Sequence, residues 1–123
     1  MNTEVDLYLP AVNVVEATDT IIALDLQGEF DFNDADTIVD YAGRAFDSHR
    51  HLIVNLSDVT FIDSSIVHAL FKAQAAAENA GRRFVLQFGT HAIVERVLSI
   101  TEADTKFVTA PSRAEAIRLI EQP

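Results

Sequence analysis

The chain has 123 residues, enough for one compact domain and no more. Its 9 Lys and Arg stand against 19 Asp and Glu, a net charge of −10 that argues against a surface built to grip nucleic-acid phosphates. A hydrophobic fraction of 49% with only 4 Gly and 3 Pro excludes a disordered or collagen-like chain, and the absence of Cys removes disulfides, thiolate catalysis and Cys-based metal sites.

In chain order, Val12 to Ala17 and Thr20 to Gln27 read as two strands joined by a turn at Thr18-Asp19. Ile22, Leu24 and Leu26 alternate with Ala23, Asp25 and Gln27, the period of a strand with one buried face. Asn33 is placed to cap a helix, with Asp36 as a weak capping-box partner, and Ala35, Ile38, Val39, Ala42, Ala45 and Phe46 follow helical spacing. The polar loop around His49, Arg50 and His51 lacks further metal ligands at fixed spacing and reads as solvated. Leu52 to Leu56, followed by Val59, Phe61 and Ile62, has the pattern of a buried parallel strand and its packed exit.

Asp63, Ser64 and Ser65 fall where the second helix begins, and all three are favoured N-terminal residues. That alone is a sufficient structural reason for them. The helix carries Ile66, Ala69, Leu70, Ala73, Ala77 and Ala80 on one stripe and stops at Gly81. Arg83 to Phe88 is the next strand, with Phe84, Leu86 and Phe88 facing the core. Thr90 caps a short helix bearing Ile93, Val94, Val97 and Leu98, Lys106 to Thr109 is a brief strand, and Ser112 with Glu115 forms a capping box for a last helix ending near Gln122. Strands alternating with helices after an opening hairpin define an α/β domain with a mixed sheet, about four to five strands with about four helices. No linker or internal repeat divides residues 1–123.

Three segments together resemble the STAS domain of anti-sigma factor antagonists. Asp63-Ser64-Ser65 resembles the family's central signature, Gly28-Glu29-Phe30-Asp31 resembles its Gly-x-Leu-Asp segment, and Gly81-Arg82-Arg83-Phe84 resembles the helix stop before its next strand. The resemblance runs roughly from residue 12 to 121. It implies a STAS fold in which Ser65, or as second choice Ser64, is phosphorylated, with Asp31, Asp63, Ser64, Ser65 and Ile66 forming the partner-binding surface. The family has Gly where Ile66 stands; the helical stripe favours an inward Ile66 over an outward one.

The function implied is that of an anti-anti-sigma factor, a regulator of transcription in a bacterial stress response. It would bind an anti-sigma factor of the serine-protein kinase type, release a sigma factor, and be switched off by serine phosphorylation. The alternative is a phosphorylation-independent STAS subunit docking on a transporter ATPase or a sensory complex. Neither reading needs a cofactor, a metal, nucleic acid or a membrane, and a monomer or weak dimer is expected.

Two catalytic readings fail on the residues. A nucleophilic Ser needs a base oriented by a third group, whereas His68 lies one turn into the same helix and no Gly-x-Ser-x-Gly elbow is present. A receiver domain needs an acidic pair beside its phosphorylated Asp to hold Mg²⁺, and the first strand ends in no such pair. No apolar stretch is long enough for a membrane span, and Met1 to Pro10 lacks the basic and apolar regions of a secretory signal, so a cytoplasmic, non-enzymatic protein is expected.

Overall fold

The computed structural model describes residues 9–89 and 91–123. β1 (Ala11–Thr18) and β2 (Ile21–Phe30) form the opening hairpin, and α1 (Ala35–Asp47) leads to β3 (His51–Ile62). α2 (Ser64–Ala80), β4 (Phe84–Gln87), α3 (Ala92–Ile100), α4 (Ala103–Lys106), β5 (Thr109–Ala110) and α5 (Arg113–Glu121) follow. The strands lie in the order β1-β2-β3-β4-β5; β1 is antiparallel to β2 and every other neighbour is parallel. Parallel strands need crossover connections, which the helices supply. The result is the expected mixed α/β sheet, with α4 as one additional helical turn.

Each face of the sheet has its own core. Ile22, Leu24, Leu52, Val54, Phe84 and Leu86 pack beneath α1, α2 and α3, while Ile21, Ala23, Ile53 and Val85 meet Ala116 and Ile120 of α5. β2 is therefore covered on both faces along its first half, from Ile21 to Leu24. The alternation in its sequence reflects its second half, where Asp25 is half-buried and Gln27 exposed.

β3 is longer than its apolar run, because its ladder with β2 continues to Phe30 opposite Ile62 through irregularities at Asp25/Gln27 and Gly28/Glu29. Gly28 sits at one of them with φ 96°, a conformation that strains any residue with a Cβ. Phe61, expected in the packed exit, is instead 39% exposed, since Val59 and Ile62 occupy the inward positions.

Several local expectations shift by a residue or two. Asn33 lies in a turn and does not cap α1: its N–H donates to Asp31 Oδ1 (2.9 Å), and Asp34 takes the cap position. His51 belongs to β3 and not to the preceding loop. The expected strand Lys106 to Thr109 is displaced to Thr109–Ala110 because α4 extends through Lys106. Ser112 Oγ accepts from the Glu115 N–H (3.2 Å), but the Glu115 carboxylate pairs with Arg118, so only half of the capping box forms. Ala80, placed on the inward stripe of α2, is exposed. The expected cap at Thr90 lies outside the described residues.

Candidate functional site

β2 and β3 are parallel and end side by side, with Phe30 opposite Ile62. The next residue along each strand is Asp31 and Asp63. The ladder thus delivers two half-buried carboxylates from distant parts of the sequence to one end of the sheet.

Asp63 is the N-cap of α2. Its backbone is extended, and its Oδ1 accepts from the N–H groups of Ser65 (3.0 Å) and Ile66 (3.3 Å). It satisfies two of the four amides that a helix start leaves without intrahelical partners. The Ser65 hydroxyl donates to the same oxygen. Its proton is thereby committed to Asp63, so the Oγ lone pairs are free for an electrophile arriving from solvent. Ser65 is half-buried and Ser64, one residue earlier, is exposed. Both lie in the first turn, where the helix dipole favours negative charge.

Asp31 organises the other side. Its N–H donates to Asp34 Oδ2 (3.0 Å), its carbonyl accepts from Asp34 N–H (2.9 Å), and its carboxylate holds Asn33. This closed turn sets Phe32 outward, 71% exposed. Phe32 and Phe61 add exposed aromatic surface beside the acids. Neither was legible as such: Phe32 belongs to no periodic pattern, and Phe61 stands next to apolar neighbours that are buried.

The Ile66 side chain is 0% exposed and belongs to the core beneath α2. It turns inward, as the stripe favours, and so offers no side-chain surface to a partner; Asp31, Asp63, Ser64 and Ser65 retain theirs. His68 is exposed and makes no hydrogen bond to Ser64 or Ser65; the serine proton goes to a carboxylate. Among the described residues no group of three or more His, Asp or Glu is placed to hold a metal ion, and no helix is long and apolar enough to cross a membrane.

His51 lies at the opposite end of β3. Its Nδ1 accepts from the Arg83 backbone N–H (2.9 Å), and its pKa is lowered by burial first and then by the charges of Arg82 and Arg83. The interaction requires the neutral ring. The segment that reads as merely solvated thus supplies a structural acceptor, from the first residue of β3.

The fold has close counterparts. An anti-sigma factor antagonist from Mycobacterium paratuberculosis superimposes with a TM-score of 0.79 at 20% identity, covering 93% of this chain and 96% of that one. SpoIIAA, an anti-sigma factor antagonist, in its unphosphorylated form gives 0.74 at 20% identity, covering 89% and 96%. The Bacillus cell fate determinant SpoIIAA in its phosphorylated form gives 0.67 at 19% identity, covering 89% and 99%. No curated protein sequence matches significantly. The family profile of the STAS domain matches residues 13–116, which include both aspartates, both serines and every strand except the first two residues of β1. The chain belongs to the STAS domain family.

Proposed function

We propose that this chain is an anti-sigma factor antagonist that binds an anti-sigma factor of the serine-kinase type and is released from it by phosphorylation of Ser65. The observation that carries the reading is the Ser65 hydroxyl, held by Asp63 at the solvent-facing start of α2 with Asp31 on the adjoining strand end. A similar fold has been solved in both unphosphorylated and phosphorylated forms.

The switch is one of charge and desolvation. A phosphoserine brings about −1.5 to −2 charge at neutral pH. Forming it removes the hydroxyl donor and sets the phosphate beside the Asp63 carboxylate, while the helix dipole returns about 0.3 to 1 kcal/mol. Asp63 keeps its two backbone amides, so the fold persists. At an interface that buries the phosphate without a counter-charge, the cost is about 2 to 5 kcal/mol. That is roughly thirty-fold to several-thousand-fold in affinity. The complex opens before the domain does.

The test is incubation with the anti-sigma kinase and ATP, followed by phosphopeptide mapping and binding measurements on Ser65→Ala and Ser65→Glu. Ser65→Ala should bind constitutively, and Ser65→Glu should bind weakly with an unchanged circular-dichroism spectrum. Because the site is acidic, association should slow as salt is raised. Modification of Ser64 alone, or normal binding by Ser65→Glu, refutes the assignment; salt-insensitive association with no phosphorylation favours docking on a transporter or sensory assembly.

A further inference from the structure

The sheet edge at the end remote from Ser65 is unfinished. β5 pairs only with Leu86 and Gln87, so among the described residues Phe84 and Val85 have β3 on one side and no strand on the other. A cleft of ≈ 410 Å³ opens at this notch between the C-terminal turns of α2 and α5. Its floor is apolar: Ala77, Phe84 and Ile120 are buried, and Leu119 is half-buried. Val108 stands at its mouth, 53% exposed.

The rim is cationic in a strongly acidic protein. Arg83 is committed to the end of α5, donating to the carbonyls of Leu119, Ile120 (2.9 Å) and Gln122. Arg82 also lines the cleft and has no ion-pair partner among the described residues, although Glu78 lies on the same rim. An apolar floor with one available cation selects a ligand of matching polarity.

We propose that this cleft binds a small organic anion with an apolar body, such as a medium-chain carboxylate, with the acid group on Arg82 and the body between Ala77, Phe84 and Leu119. The volume is that of a small-molecule site. An extended peptide fits less well, because two unpaired residues of β4 provide too short an edge to fix a strand's register. The site is independent of the proposed switch: Phe84 pairs with Leu52 at the start of β3, whereas Ser65 follows its end.

The experiment is a nuclear magnetic resonance titration with octanoate, and with octanol as the neutral control. Octanoate should shift the amides of Ala77, Phe84, Val108 and Leu119 while leaving Ser64 and Ser65 unmoved. Arg82→Gln should weaken octanoate by roughly two- to five-fold and leave octanol unaffected. Val108→Asp, on an exposed position, should abolish octanoate binding without lowering the melting temperature. No saturable shift at millimolar octanoate, equal affinity for octanol, or preferential binding of an acidic hexapeptide at this edge would overturn the proposal.

Discussion

Ile66 shows how one side chain can serve stability at a position next to a proposed phosphorylation site. It follows Ser65 directly, yet its side chain is fully buried, so the helix start stays open without the glycine of the family pattern. Ile66→Ala should lower stability by about 2 to 5 kcal/mol through lost burial and a residual cavity. Ile66→Gly should lie about 0.5 to 1 kcal/mol lower still. If Ser65 is the proposed switch, its phosphorylation by the anti-sigma kinase should be nearly unchanged in the alanine variant; marked acceleration without loss of melting temperature would identify Ile66 as a steric gate. His51 makes a different prediction, in pH. Its pKa is lowered in the folded chain by burial and by Arg82 and Arg83, so between the folded and unfolded values the unfolded chain binds more protons. Its contribution is therefore present above the ordinary imidazole value of 6.5 and is lost as pH falls below it. Thermal melts should drop on acidification through that range, and the drop should be smaller in His51→Asn, whose Oδ1 takes the place of Nδ1 and can still accept from the Arg83 N–H.

Gly81 ends α2 by conformation and not by lack of space. Its φ of 68° is left-handed, an added Cβ would meet nothing within 4 Å, and its neighbour's N–H closes the cap on Ala77 O (2.8 Å). Gly81→Ala should cost about 1 to 2 kcal/mol from left-handed strain alone, measurable as a lower denaturant midpoint with unchanged slope. Such features are legible in sequence because they are local: a cap, a helical stripe, or a glycine after the last helical residue. The Asp63-Ser64-Ser65 cap was legible for that reason. Asn33 was not, because the closure of its turn depends on where β2 delivers Asp31, and that is set by pairing with β3. Phe61 misleads for a related reason, since the irregularities in that ladder decide which residues of β3 face inward. The adjacency of Asp31 and Asp63 could be expected only from the family resemblance, as neither residue carries a local sign of the other.

Between the two faces of the molecule, covering is uneven. Four helices, α1 to α4, pack on one side, while α5 covers only part of the other and is fastened at its start by a polar network. Arg113 pairs with Asp25 and approaches Gln87 Oε1 (3.4 Å), and Asp25 Oδ1 also accepts from Asn55 Nδ2 (3.0 Å). One helix terminus is thus tied to β2, β3 and β4 where the apolar contacts of that face run out. Both charged side chains retain 30% exposure, so screening discounts the pair below a buried one. The shared network still predicts coupling, of about 0.5 to 3 kcal/mol between sites in contact. Arg113→Gln and Asp25→Asn should each destabilise the chain, and the double variant should lose less than the sum of the two. Hydrogen exchange should locate the loss, with amides of α5 losing protection before those of α2, whose packing on the opposite face does not pass through this network. Additive losses, or equal deprotection of both helices, would show that apolar contacts at Ala116 and Ile120 alone hold α5 in place.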